Sequence, residues 1–275
     1  MKKVNDKIAL VTGVSSGIGE SIAIELAKYG FKVYGAARRI ERMEHLKEFG
    51  IVPLVLDLTS EESIIHCVNE LIIKEGRIDV LINNAGYGSY GAIEDVPMEE
   101  ARRQFEVNLF GMAALIQHVT PHMRKNHYGK IVNISSMGGK IWTKFGGWYH
   151  ATKFAVEGFS DCLRMELKPF GIDVIVVEPG GIKTDWGIIA ANNLKKASKD
   201  GAYKEAAEKA ADGMIKNYTG KMLSSPKVIG KIVRKAVITK HPKTRYCRGF
   251  MGRQMIMIHK IFGDRFYDWM IRKFS

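Results

Sequence analysis

The chain has 275 residues, 46% hydrophobic and 26% charged, with a formal net charge of +13; this is ordinary globular composition, enough for one large α/β domain and its core. No apolar run approaches the roughly 18 residues that cross a bilayer, and Cys67, Cys162 and Cys247 form no C-x-x-C pair, so neither a metal site nor a disulfide is expected. No apolar stretch follows the charges of the N-terminus, so the expectation is no signal peptide, a cytoplasmic location and reduced thiols.

The first apolar run, residues 8–11, reads as a strand. It leads into Thr12-Gly13-Val14-Ser15-Ser16-Gly17-Ile18-Gly19 and a helix over 19–29. Gly13 permits a tight turn, Gly17 a close approach of backbone to a pyrophosphate, and Gly19 close packing of the helix on the sheet. Free N–H groups at the helix start favour an anion. The spacing is G-x-x-x-G-x-G rather than G-x-G-x-x-G, and the flanking strand and helix argue against a merely structural turn.

The second strand, 32–35, runs into Ala37-Arg38-Arg39. A dinucleotide fold usually carries an acidic residue near this point to bind the ribose 2′-OH. Here Ala37 occupies it and two guanidiniums follow, which suits the 2′-phosphate of NADP(H) through paired hydrogen bonds. A helix over 39–48, a strand over 52–56 ending before Asp57, a helix over 61–75 and a strand over 80–83 ending before Asn84 come next. A helix over 99–125 contains Asn108. The strand 130–135 delivers Ser136 to a sheet end, and a helix over 149–170 opens with Tyr149-His150-Ala151-Thr152-Lys153. A sixth strand spans 173–177. This alternation predicts a single doubly wound, Rossmann-type parallel sheet with helices on both faces, residues 1–275 forming one domain.

Residues 186–223, rich in Ala, Lys, Asn and Gly, read as a substrate lid with helix near 204–211. Ser225-Pro226 opens a helix to about residue 240. A last strand is expected near 244–247. The extension 249–275 places Met255, Ile258, Phe262, Phe266, Trp269 and Met270 at helical steps, divided at Gly263-Asp264. Residues 221–275 hold fourteen Lys and Arg against two Asp. No nucleic-acid motif accompanies them, so no nucleic-acid partner is expected. Packing of the stripe on the core or a partner subunit is the favoured reading, with a peripheral membrane contact or cover over an apolar substrate as the alternatives; the tail is expected to border the pocket rather than to span a membrane.

Tyr149 and Lys153 stand four apart on one helix face, where an ammonium favours the phenolate and lowers its pKa. With a nearby hydroxyl this makes a proton-transfer site for an alcohol or a carbonyl. Ser135 is an alternative to Ser136, but the thirteen-residue spacing to Tyr149 favours Ser136. His150 points off the Tyr149 face and reads as a bystander.

In its glycine motif, Asn83-Asn84-Ala85-Gly86, Asn108, Ser136, Tyr149-x-x-x-Lys153 and Pro179-Gly180-Gly181-Ile182-Lys183-Thr184, the chain resembles the short-chain dehydrogenase/reductase family over residues 5–190, in character closest to its hydroxysteroid and retinol dehydrogenase branch. The resemblance implies Ser136, Tyr149, Lys153 and Asn108 as catalytic residues, Asn108 through a water relay to Lys153. It implies that Ser136 and Tyr149 hold the substrate oxygen. Cofactor contact is implied for Gly13, Ser15, Ser16, Gly17, Ile18, Gly19, Arg38, Arg39, Asp57, Asn84, Tyr149, Lys153, Ile182 and Thr184. Asp57 would meet the adenine edge, and Asn84 and Thr184 the ribose and nicotinamide ends.

Tyr87, Tyr90, Met137, Ile141, Trp142, Phe145, Trp148 and Trp186 flank these motifs and suggest an apolar pocket, although aromatics at such places also serve as core or subunit contacts. The expected function is NADP(H)-dependent interconversion of a lipophilic ketone or aldehyde and its alcohol, in a homo-oligomer. The alternatives are a hydroxysteroid dehydrogenase proper and a catalytically silent NADP-binding regulator.

Overall fold

The computed structural model describes residues 7–274. Seven parallel strands form one sheet: β1 Ile8–Thr12, β2 Lys32–Ala37, β3 Val52–Val55, β4 Val80–Asn83, β5 Gly129–Ile134, β6 Ile172–Pro179 and β7 Arg245–Arg248. Their order is β3-β2-β1-β4-β5-β6-β7. The inner strands are apolar at successive positions because both faces are covered. In β1, Ile8 and Leu10 enter one core with α2 (Glu61–Glu75), α4 (Gly111–Lys125) and α5 (Gly147–Leu167). Ala9 and Val11 enter the other, with α1 (Gly17–Lys28), the 3-10 segment Ile40–Phe49 and α8 (Lys227–Ile238). Strand order reverses between β1 and β4, so a crevice opens beyond their carboxyl ends, where open α/β sheets bind ligands.

Four elements differ from the sequence expectation. Residues 40–49 form a 3-10 segment, closed by Gly50 at φ 72°. The helix expected over 99–125 is α3 (Met98–Phe105), a π turn over Glu106–Phe110, and α4. The π turn forms where Asn108 turns inward, and π turns add one residue to a helix without ending it. The segment after Thr184 folds as two helices, α6 (Trp186–Ala197) and α7 (Lys204–Thr219), where the sequence alone shows part of one. The edge strand lies one residue later than expected. The C-terminal helix α9, Gly252–Phe274, breaks at Gly263 (φ 74°), the expected division. Among the described residues no helix is long and apolar enough to cross a membrane.

Candidate active site

The glycine-rich turn lies at the carboxyl end of β1. Gly13 (φ +71°) and Gly17 (φ +65°) occupy the left-handed region. A Cβ on Gly13 would stand 2.8 Å from the Ala85 Cα, and one on Gly19 only 2.3 Å from the Gly13 carbonyl. Gly19 therefore lets α1 close on its own preceding loop. Ser16, at the α1 N-cap, makes no side-chain capping bond, which leaves first-turn N–H groups for an anion. Thr12 Oγ1 accepts from the backbone N–H of Asn84 and of Ala85, each at 3.0 Å. Asn84 Nδ2 donates back to the Thr12 and Gly13 carbonyls at 2.9 and 3.3 Å. Asn84, expected at the ribose, here laces the β4 loop to the glycine turn. The Thr184 methyl lies 3.1 Å from where a Gly17 Cβ would be, so the segment after β6 folds over that turn. Ile182, expected at the cofactor, is buried in the α1–α8 core, and Ile18 packs against the same core.

At the neighbouring loops, Arg38 and Arg39 are exposed. Burial pushes the Asp57 carboxyl up, but the Thr59 N–H (3.0 Å), the Thr59 hydroxyl (2.8 Å) and the charges of Arg38 and Arg103 outweigh it and hold it below the usual range. Arg103, on α3, thus faces the same loop as Arg38; no motif in the sequence singles it out.

Beyond β5, Ser136 caps a 3-10 turn, its Oγ accepting from Gly138 N–H at 3.0 Å. That leaves its hydroxyl proton for the Tyr149 oxygen, to which it is hydrogen-bonded. Tyr149 lies in the first turn of α5 and is 8% exposed. One turn on, Lys153 Nζ sits 6.0 Å from the Tyr149 ring centroid and donates to the Ile134 carbonyl at 2.9 Å. Burial pushes the Tyr149 phenol up to about 12, with the Ser136 bond opposing it. The expected lowering by Lys153 is absent from this arrangement, because the ammonium is turned to the β5 carbonyl and desolvation dominates. Burial also lowers Lys153 to about 8, against the pull of Glu157.

Asn108 sits in the π turn. Its Oδ1 accepts from Tyr87 N–H at 3.0 Å, and its Nδ2 donates to the Tyr87 carbonyl at 2.9 Å and to Thr152 Oγ1 at 3.1 Å. It fastens the β4 loop to α5 one residue from Lys153. A Cβ on Gly86 would come within 2.9 Å of Asn108 Oδ1 and 3.9 Å of Lys153 Nζ; the bare backbone keeps that side of the ammonium open.

His150 is more than a bystander. Thr143 N–H donates to its Nε2 at 3.0 Å, which places the ring proton on Nδ1, 2.9 Å from the Gly138 carbonyl it meets. Burial lowers its pKa and keeps the ring neutral. It thereby fixes the turn that holds Ser136. A second tie is ionic. Buried Glu157 Oε2 pairs with Lys140 and with Arg245 Nε, each at 3.0 Å, and Arg245 Nη2 reaches Asp161 at 2.7 Å. These partners come from three distant stretches of chain, so sequence spacing gives no sign of them.

Of the aromatic residues noted in the sequence, Tyr90, Phe145 and Trp186 gather at Tyr149. The Trp186 ring centroid is 4.9 Å from that of Tyr149, and Tyr90 stands edge-on to Trp186 at 5.8 Å. Tyr218 of α7, unremarked in the sequence, backs Trp186 at 6.2 Å. A Cβ on Gly88 would lie 2.4 Å from Trp186 Cζ2, so the tryptophan occupies space that Gly88 leaves. Trp148 instead packs edge-on against Phe105 at 6.5 Å, Trp142 turns to α9, and Tyr87 donates to Glu100 at 3.1 Å.

A doubly wound sheet with a glycine cradle at its switch point, and a Ser–Tyr–Lys group at the adjacent strand end, defines a nicotinamide-dinucleotide oxidoreductase acting on CH–OH or C=O groups. The chain belongs to the short-chain dehydrogenase/reductase family: the short chain dehydrogenase profile matches residues 7–193. It is similar to a 3-ketodihydrosphingosine reductase of Bacteroides thetaiotaomicron, 38% identical over 237 residues covering 86% of this chain and 80% of that one. It is also similar to an NADPH-dependent 3-dehydrocapnine reductase of Ornithobacterium rhinotracheale, 36% identical over 251 residues and 87% of each chain. Among solved structures, a short-chain dehydrogenase of Streptomyces avermitilis superposes with a TM-score of 0.80 at 32% identity, covering 93% of this chain and 92% of that one.

Proposed function

We propose that this protein is an NADP(H)-dependent reductase of a lipophilic ketone or aldehyde, with Tyr149 as the general acid. The observation that carries the reading is the placement of the Tyr149 phenol: hydrogen-bonded by Ser136, one helical turn from Lys153, and roofed by Trp186 and Tyr90. A phenol held at about 12 is protonated at neutral pH, the form a proton donor to a developing alkoxide needs. The bound cofactor would supply hydride to the carbonyl carbon.

The chain's own residues do the rest. Tyr149 gives its proton to the developing alkoxide, and Ser136 Oγ–H donates to the same oxygen. Lys153, charged below about pH 8 and one helical turn away, stabilises the phenolate left behind by turning to it from the Ile134 carbonyl it now meets. Asn108 and His150 act by position, one holding the β4 loop on α5 and the other the Ser136 turn. Gly13, Gly17 and the α1 N-terminus would hold the pyrophosphate, and Asp57 the adenine side. Exposed Arg38 and Arg39, with no carboxylate at Ala37, favour the 2′-phosphate of NADP(H). The relative named as NADPH-dependent supports that choice. Residues 186–223 act as a lid, since Trp186 must leave the Tyr149 ring for a substrate carbon to approach. The name of the relative that reduces 3-ketodihydrosphingosine supports a ketone substrate.

The test is a panel of ketones, 3-ketodihydrosphingosine, long-chain ketones and steroids among them, with NADPH consumption followed optically. Tyr149→Phe should lower turnover at least about a hundredfold while cofactor affinity stays within about twofold, about 0.4 kcal/mol. Cofactor binding without turnover on any member of the panel would favour the silent regulator, and a Tyr149→Phe protein with most of its activity would remove Tyr149 from the role.

A further inference from the structure

The outer side of α9 carries an apolar surface that the active site does not use. Ile261 is 64% exposed, Phe262 58%, Phe266 39% and Trp269 49%. The rings form one run: Phe262 to Phe266 at 4.7 Å and Phe266 to Trp269 at 5.6 Å between centroids. This run is held outward by anchors on the opposite side. Tyr267 is fully buried, and Asp268 accepts from Trp142 Nε1 at 2.8 Å. The helix therefore cannot roll to bury its aromatics without giving up those contacts.

The charge around the run is one-sided. Lys260, Arg265, Arg272 and Lys273 of the same helix are exposed, and Lys273 Nζ lies 5.2 Å from the Trp269 ring centroid. The two acids of the helix are both engaged, Asp264 with His259 at 2.8 Å and Asp268 with Trp142. Exposed aromatic rings within a cationic rim complement an anionic bilayer surface, where rings enter the interface and cations meet phosphate headgroups. A second copy of so basic a chain would bring like charge against that rim.

We propose that α9 docks the protein on anionic lipid membranes through Phe262, Phe266 and Trp269, with Lys260, Arg265, Arg272 and Lys273 meeting the headgroups. This is independent of the assigned reaction, because no residue of this surface belongs to the active site. It would bring the Ser136 turn close to the lipid: Trp142, six residues after Ser136, packs directly on Tyr267 at 5.4 Å between centroids.

The experiment is flotation of the full chain with vesicles of phosphatidylcholine mixed with phosphatidylglycerol, and with vesicles of phosphatidylcholine alone. The wild type should float with the mixed vesicles and release at high salt. Lys260→Gln with Arg265→Gln should weaken partitioning about 25-fold, about fivefold for each cation. Phe262→Ser, Phe266→Ser and Trp269→Ser together should weaken it at least about a hundredfold. Far-UV circular dichroism and turnover of a short water-soluble ketone should stay as in the wild type. Wild-type protein left at the bottom of the gradient with mixed vesicles would overturn the proposal. So would equal flotation of the triple-serine variant, or a concentration-dependent dimer that the serine substitutions dissolve while vesicle binding is absent. The lysine and arginine pair keeps the test decisive if the triple variant folds poorly.

Discussion

Replacing Lys153 with methionine should make the protein more stable and leave it nearly inactive. Lys153 is 8% exposed, and its ammonium donates to one backbone acceptor, Ile134, at 2.9 Å. The nearby carboxylate of Glu157 is already held by Lys140 and Arg245. Burial consequently lowers Lys153 from 10.5 to about 8, which disfavours the charged folded form by about 3 kcal/mol. Methionine keeps the length and apolar stem without the charge. It leaves the Ile134 carbonyl short of a donor, which costs about 1 kcal/mol. The net gain at neutral pH is about 2 kcal/mol, or roughly 4 °C in melting temperature for a chain of this size.

The sign with pH follows from the same pKa difference. Between about 8 and 10.5 the unfolded chain still holds the Lys153 proton and the folded chain has released it. Wild-type stability therefore rises with pH across that window, and the advantage of the variant is full below about pH 8 and disappears as 10.5 is approached. Urea melts of both proteins at neutral and alkaline pH measure this directly, alongside turnover, which should fall at least about a hundredfold. A variant less stable than wild type at neutral pH, or a difference that does not change with pH, would refute the reasoning.

Further outcomes bear on the cofactor, the lid and the ion network. Ala37→Asp combined with Arg38→Leu should shift the kcat/KM preference from NADPH toward NADH by about tenfold or more, through loss of a guanidinium and repulsion of the 2′-phosphate; comparable wild-type values with both cofactors would contradict the NADP(H) assignment. Gly88→Ala should push the Trp186 ring off Tyr149, change the tryptophan emission and lower kcat/KM for bulky ketones about tenfold, at an overpacking cost of about 1–3 kcal/mol. Emission and kinetics like the wild type would separate Trp186 from the lid. Arg245→Met should strand Glu157 without one of its cations and lower stability by about 3 kcal/mol in denaturant melts, with Arg245→Lys restoring part of it; an unchanged midpoint would show the network to be dispensable.

Much of the frame was legible in the sequence because its signals are local. Apolar runs such as Ile8-Ala9-Leu10-Val11 ended at polar or glycine-bearing turns, and the strands they predicted pair in the expected doubly wound order. The Gly263 break in the C-terminal helix was also visible, as a helix-ending residue before an aspartate. What sequence could not give was three-dimensional meeting. Tyr218 reaches Trp186 across a helix hairpin. His150 looked idle because helical periodicity says which way a side chain starts, not which loop folds back to meet it. The pKa of Tyr149 went the other way from a pairwise argument, since one-dimensional spacing to Lys153 carries no information on burial. The π turn at Asn108 escaped because it leaves the apolar periodicity on either side nearly intact.

The edge strand gives the molecule a schedule. β7 supplies Arg245, which joins Glu157 and Asp161 from 88 and 84 residues downstream. On a ribosome the helix bearing Tyr149 and Lys153 emerges long before that arginine does. Until then the free edge of β6 lacks its last partner and Glu157 lacks one of its two cations, the other being Lys140. Six strands can assemble in that interval, since all their pairings lie upstream of residue 180. The nascent protein thus passes through a stage with an open parallel edge and an incomplete ion network, the kind of species that aggregates or recruits chaperones. Final closure of the domain is set by synthesis of β7 rather than by synthesis of Tyr149 and Lys153.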